Sequence, residues 1–356
     1  MKAKVILAIW AIIFIILPSC EPDEPEPPFV PPDSPYVSPE VKTLAASEIT
    51  THSAIIGGEI TKLGNEPITK KGICWLPSAN TPEALERTNP AIVNNVIEIT
   101  EPDSKFSFLM DKLEPNQTYV YRAFVQNAIG VVYGQKLHFT TEHETITDID
   151  GNVYRILKIG KQTWTIDNYN ATRLRDGTPI PNRIEDSYWA KSAPQEPAMC
   201  WYDNDRSKYE KDYGALYNWY AASHPLLAPE GWRVPTNSEC DSLAFYLMRA
   251  FPDHPGTLWS VGGLCKTRGY EYWQPPNTDA TNESGFSAKA GGMRFSGDEY
   301  FDPGFYSFGY EAVFVCASEF GGYAETFRFA YNKNHFVSDL LVSKTNGYSI
   351  RLIKDE

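Results

Sequence analysis

The chain has no basic block, no apolar run longer than 13 residues, and no paired-cysteine motif. Lys and Arg number 32 against 45 Asp and Glu, a net charge of −13. Such a chain lacks the clustered cations that dominate affinity for nucleic-acid phosphates, so no nucleic-acid partner is expected. Its longest apolar run, Val5–Leu17, is too short to cross the ~30 Å hydrocarbon core with comfort. No CxxC or Cys/His spacing points to zinc. None of the six histidines (52, 138, 143, 224, 254 and 335) sits in a motif that would activate a cysteine. A phosphate-cradling glycine loop, a Ser-His-Asp order and a dinucleotide fingerprint are also missing. What is present is ordinary globular composition, 42% apolar and 22% charged, which excludes wholesale disorder. Nine Trp, 21 Tyr, 18 Phe, 27 Pro and 24 Gly suggest short elements joined by many loops. At ~150 residues per domain, 356 residues allow about two.

Lys2 and Lys4 precede the apolar run, which ends in Leu17-Pro18-Ser19-Cys20. A charged start, a short apolar stretch and a small residue before Cys resemble a bacterial lipobox. The resemblance implies that residues 1–19 are a lipoprotein signal peptide and that Cys20 is acylated and holds the chain to a membrane. The alternative is a plain secretory leader with an incidental Cys. Residues 20–40 follow as a stalk. Glu21–Glu40 carries six acids, no base and eight prolines. Proline at that density forbids helix and ladder and keeps the chain extended. Acids directly after the Cys resemble the surface-export signal of Bacteroidota lipoproteins; the alternative is a solvated spacer. An outer-membrane lipoprotein facing the cell exterior is the expected location.

Residues 41–141 read as short strands: Ala54–Ile60, Thr69–Trp75, Phe106–Met110, and Thr118–Val125 with strict period-two alternation. Leu113-Glu114-Pro115-Asn116-Gln117-Thr118-Tyr119, Tyr121-Arg122-Ala123, Asn127-Ala128-Ile129-Gly130 and Phe139-Thr140-Thr141 resemble a fibronectin type III domain. The expected fold is an all-β immunoglobulin-like sandwich, with Tyr119 plugging a corner and hydrogen-bonded to the loop before it. Its expected role is a spacer.

Residues 145–356 are of another kind. Val153–Ile159, a turn at Gly160-Lys161 and Gln162–Ile166 read as a hairpin. Gly214–Ala222 reads as a short aromatic helix. Thr236-Asn237-Ser238-Glu239 is a capping box, followed by Cys240, Leu243, Ala244, Leu247 and Phe251 at helical spacing. Ser349–Ile353 reads as a closing strand. Thr147–Tyr154, Ile159–Trp164, Asp176–Ile180, Gly214–Ala221, Gly231–Thr236, Asn282–Ala288 and Gly347–Arg351 carry a close resemblance to the Fibrobacter succinogenes major paralogous domain. The order of helix, capped helix, long loops and closing strand is also similar to an α+β C-type-lectin-like fold. Two departures stand out. Ala228 and Leu352 occupy places where the family usually has cysteines, as expected if one disulfide has given way to apolar packing. Val315-Cys316-Ala317-Ser318-Glu319 and Glu239-Cys240 stand where the family often has Trp-containing motifs.

Beyond Cys20 there are five cysteines, 74, 200, 240, 265 and 316; the odd number leaves at least one thiol free or intermolecular. Cys240 and Cys316 read as small core residues. Calcium is a secondary expectation at Asp203-Asn204-Asp205 and at Asn277, Asp279, Asn282 and Glu283, set against their use in turns. Aromatics crowd Tyr270, Tyr272 and Trp273, and again Tyr300, Phe301, Phe305, Tyr306, Phe308 and Tyr310. Planar faces beside amides and carboxylates can hold a sugar, so Tyr270, Tyr272, Trp273, Asn277, Asp279, Asn282 and Glu283 form the expected ligand site, with core packing as the alternative. The expected function is binding or adhesion at the cell surface, toward glycan or a surface protein, with no catalytic role. An extracellular polysaccharide-acting enzyme and a structural envelope subunit are the rivals.

Overall fold

Eight strands and one short helix make the first body of the computed structural model, which describes residues 35–190, 193–252 and 259–355. The expected signal peptide, Cys20 and His254 lie outside the described residues. The elements are β1 (Glu40–Ser47), β2 (Ala54–Lys62), β3 (Lys70–Ser78), α1 (Pro82–Arg87), β4 (Asn95–Glu98), β5 (Lys105–Met110), β6 (Thr118–Gln126), β7 (Val131–Tyr133) and β8 (Leu137–Thr140). One sheet runs β1-β2-β5, the other β4-β3-β6-β7, with β8 also on β6. The two faces close over Ile56, Ile73, Phe106, Met110, Tyr121 and Phe139, all buried. A Cβ on Gly58 would come within 2.6 Å of both Ala123 Cβ and the Phe106 ring, so glycine lets the sheets approach there. The β-sandwich expected from the alternation is present. Tyr119 is its corner plug: its hydroxyl accepts the Glu114 N–H at 2.9 Å, and its ring stacks on Phe139 at 5.5 Å.

Part of the expected stalk belongs to this body. Asn65 Oδ1 accepts the Val37 N–H, and its amide donates to the Pro35 carbonyl. The junction is also held on both sides. Glu142 N–H donates to Thr50 O, and Ile156 N–H to Glu144 O.

The second body contains β9 (Thr145–Thr147), β10 (Val153–Ile159), β11 (Gln162–Thr165), β12 (Met199–Cys200), α2 (Arg206–Tyr213), β13 (Leu216–Tyr217), α3 (Trp219–Ala222), β14 (Trp232–Arg233), α4 (Asn237–Ala250), β15 (Gly291–Phe295), β16 (Gly304–Phe308), β17 (Glu311–Phe320), β18 (Tyr323–Ala330), β19 (Val337–Val342) and β20 (Ile353–Lys354). It has two five-stranded sheets, β14-β20-β11-β10-β9 and β16-β15-β17-β18-β19, and a small β12-β13 pair. The β10–β11 hairpin falls where the sequence places it. Helices are few, and no helix among the described residues is long and apolar enough to cross a membrane.

Two expectations are corrected. Gly214–Ala222 is not one helix. Gly214, at φ 66°, ends α2; Leu216-Tyr217 pairs with β12; Asn218 then caps the four-residue α3 through the Ala221 N–H. The glycine and the cap break an aromatic run that looks continuous. Ser349–Ile353 is not one strand either. Residues 347–349 bridge singly to Arg294, Tyr217 and Phe314, and β20 then inserts between β11 and β14. The C-terminal segment thus stitches the sheets together.

The capped helix forms as expected. Its buried stripe is Cys240, Leu243, Ala244 and Leu247, facing Phe314, Phe327 and Phe336 across one core. Ala228 and Leu352 are both buried in the other core, consistent with apolar packing at those positions. At the start of α4, Glu239 accepts the Thr236 N–H at 2.8 Å and holds Arg233 through two bonds of 2.7 and 2.6 Å. Burial acts to raise its pKa, but Arg233 and Thr236 outweigh it and hold the carboxyl below its usual range. A depressed pKa gives stabilisation that is complete above the unfolded value, ~4.3, and is lost as pH falls through the folded value. Glu239→Gln should therefore lower stability by about 1–2 kcal/mol near neutrality. The gap from wild type should close below pH 4 in melting curves taken across acid pH; a gap independent of pH would contradict it.

Candidate functional site

The loop from Gly269 to Glu283 does not present its candidate residues on one open face. Trp273 is 2% exposed, and its indole N–H points at Thr267 Oγ1 and Ala288 O, 3.0 and 3.1 Å away. It is a core residue, which corrects the reading of its ring as an open stacking face. Asn277 is buried too, donating to Thr267 O and Gly269 O. Asn282 closes a turn on Ser287, giving its Nδ2–H to Oγ and accepting the backbone N–H. Tyr272 is half-buried under Lys289, whose ammonium lies 4.1 Å from the ring centroid. Asp279 accepts from Asn334 Nδ2. Tyr270 and Glu283 are exposed. Asn277, Asp279 and Asn282 have φ of 43°, 54° and 52°. Asn and Asp tolerate that left-handed backbone, so their clustering reports turns.

The other acidic cluster behaves likewise. Asp205 caps α2 by accepting the Lys208 N–H, Asp203 accepts from the Tyr209 hydroxyl, and Asn204 donates to Ile184 O. Among the described residues no group of three or more His, Cys, Asp or Glu is gathered as for a metal ion. The second aromatic group divides. Phe305 and Phe308 pack against Tyr202, at 5.1 and 4.9 Å, whereas Tyr300 and Phe301 are open to solvent.

A concavity lined by both charged and aromatic side chains lies on the sheet β16-β15-β17-β18-β19. Period-two alternation sends Ala312, Phe314, Phe327 and Phe329 to the α4 side and leaves Glu311, Val313, Thr326 and Arg328 on the opposite face. Met293 and Phe295 from β15, Leu340 and Val342 from β19, and Tyr323 complete the walls of a cavity of about 320 Å³. Most of this lining is apolar. Its polar centre is one ion pair, Arg328 Nη1 to Glu311 Oε1 at 2.9 Å, with a half-exposed Arg and a mostly buried Glu.

At the end of β15, Ser296 also lines the cavity. Asn346 Oδ1 fixes its backbone by accepting the N–H at 2.8 Å, and the Asn346 amide donates to the Tyr348 hydroxyl. The Ser296 hydroxyl is buried and has no hydrogen-bond partner. Phe295, Tyr306 and Phe301 form a string of rings at 5.9 and 6.1 Å leading from the wall to solvent.

Phe295, Ser296, Glu311, Tyr323 and Arg328 were not singled out from the sequence. The available signal was Thr326 and Arg328 alternating with Phe327 and Phe329, which marks a strand with a second, polar face.

The Fibrobacter succinogenes major domain matches residues 157–354. Among solved structures, the sensor domain of the anti-sigma factor RsgI4 from Pseudobacteroides cellulosolvens is 24% identical, covers 29% of this chain and 94% of its own, and has a TM-score of 0.22. A human fourth FNIII domain is 22% identical over 30% of this chain and 77% of its own, with a TM-score of 0.20. The chicken CNTN1 FN1–FN3 domains are 14% identical over 30% and 31%, also at 0.20. At these scores the sandwich rests on its own strand pairing. No curated protein matches the chain. Because the match over 157–354 spans more than half of the 356 residues, the chain belongs to the Fibrobacter succinogenes major domain family.

Proposed function

We propose that this chain is a lipid-anchored binding protein of the outer cell surface, and that its second body takes a glycan in the groove formed by β15 and β17–β19. Acylated Cys20 would hold the membrane, the Pro-rich segment and the sandwich would act as spacers, and the C-type-lectin-like head would present the site. The observation that carries the reading is the Arg328–Glu311 pair between apolar and aromatic walls. A sugar offers adjacent hydroxyls, each able to donate and accept, and an apolar ring face. Arg328 supplies donors next to Glu311 acceptors, while Phe295 and Tyr323 supply ring surface.

Binding is favoured over catalysis by the state of the carboxylates in the groove. Glu311 is held by Arg328, and Asp298 accepts the Tyr300 and Phe301 N–H groups at 2.8 and 2.9 Å. Hydrolysis would need a facing pair of carboxyls free to act as acid and as base or nucleophile. A glycan array probed with the purified chain tests the reading: retention of a related set of saccharides, with no cleavage products, is expected. No retained saccharide, or turnover of one, would overturn it.

A further inference from the structure

We propose that Cys240 and Cys316 are joined as a disulfide when the chain folds under oxidising conditions. Cys240 sits on the buried stripe of α4 and Cys316 on β17 beneath it, with their Sγ atoms 3.7 Å apart. Both residues are 0% exposed. A disulfide needs about 2.05 Å between sulfurs, so closure asks for an approach of about 1.7 Å, within reach of side-chain rotation and a slight settling of α4. The other three cysteines have different surroundings. Cys74 Sγ donates to Arg122 O, Cys265 Sγ accepts from Ser284 Oγ, and among the described residues no second sulfur lies within hydrogen-bonding range of Cys74, Cys200 or Cys265.

The order of events follows from burial. Burial comes first, with the neighbouring thiol and the Glu239 and Asp241 carboxylates adding to it, in pushing the Cys240 thiol well above its usual range. A thiol that stays protonated and out of solvent does not attack an external disulfide, so the folded reduced protein should be inert. The bond forms while α4 is still open to solvent. One protein thiolate attacks glutathione disulfide, forming a mixed disulfide and releasing one glutathione thiolate. The second protein thiolate then attacks the protein sulfur of the mixed disulfide and expels the second glutathione thiolate. Two cysteines lose two protons and two electrons, and two glutathione thiols carry them away.

The bond would close a loop spanning 76 positions of the chain, joining α4 to the sheet that bears the groove. It restrains the unfolded chain and raises the melting temperature by an amount on the order of 10 °C.

The test is to denature and reduce the purified full chain, refold one half with a glutathione–glutathione disulfide buffer and the other with reductant, block free thiols, and map peptides without reduction. The expected result is a cross-linked pair of peptides carrying Cys240 and Cys316 in the oxidised half alone. That half should melt higher, an increment absent from Cys240→Ala and from Cys316→Ala. Folded reduced protein exposed to the same buffer should stay unlinked. Both thiols alkylated in protein refolded under oxidising conditions, or a link joining either residue to Cys74, Cys200 or Cys265, would overturn the proposal. So would a higher melting temperature that persists in the single variants.

Discussion

Arg351→Met should destabilise the second body by about 3–5 kcal/mol, a large share of the 5–15 kcal/mol typical of a domain. Arg351 is 1% exposed, and its guanidinium is the joint between three segments. Nε donates to Asn168 Oδ1 at 2.6 Å, Nη1 to Thr165 O and Phe286 O at 3.1 and 2.9 Å, and Nη2 to Ser287 O at 3.1 Å. The flat cation also lies 4.9 Å from the Phe286 ring centroid. Methionine fills much of the volume but leaves four acceptors unmet, three of them buried, which is the expensive outcome. Arg351→Lys should recover little, because a point-like ammonium cannot span the acceptors that a planar fork reaches. Urea unfolding followed by fluorescence checks both variants. A loss below about 1 kcal/mol for Met would show that the acceptors find other partners.

Trp273→Ala should cost a similar ~3–5 kcal/mol and lower the melting temperature by an amount on the order of 10 °C. The indole fills a buried site among Leu264, Phe286 and Ala288. Beside it Lys266, 0% exposed, donates to the carbonyls of Thr278, Ala330 and Lys333 at 2.8, 3.1 and 2.8 Å. Burial draws the Lys266 ammonium down to about 8. The ring and the ammonium together anchor the loop that carries Asn277 and Asp279. Ligand affinity per folded molecule should be unchanged, since Trp273 does not line the groove. Weakened affinity at unaltered stability would return the loop to consideration as the binding surface.

The sandwich was legible because its signals are local. The apolar and aromatic run Thr118–Val125, buried on both faces of its strand, and the Leu-x-Pro corner before Tyr119 each specify their own structure. The α4 cap was legible for the same reason, since Thr236 and Glu239 meet within one turn. The 214–222 segment was misread because aromatic content suggested continuity, while Gly214 and Asn218 impose breaks that a helical pattern does not display. The loop at Tyr270–Trp273 is harder to read, for a deeper cause. Tyr270, Tyr272 and Trp273 are neighbours in sequence, and adjacency suggested a surface. Whether a Trp is a platform or a plug depends on acceptors such as Ala288 O, brought in by folding. The groove is built from β15, β17, β18 and β19, and no window of sequence shows Glu311 beside Arg328. The match to the family leaves these side chains to be found from the sheet register.

Titrating the best-retained array saccharide into wild type, Arg328→Gln, Phe295→Ala, Tyr270→Ala and Glu283→Gln by calorimetry decides whether this groove is the ligand site. The two groove variants should each weaken binding at least about tenfold, a loss of 1.4 kcal/mol, with folding intact. The Tyr270 and Glu283 variants should bind as wild type does. Undiminished binding by Arg328→Gln and Phe295→Ala, with loss in Tyr270→Ala or Glu283→Gln, would contradict the account and move the site to the loop.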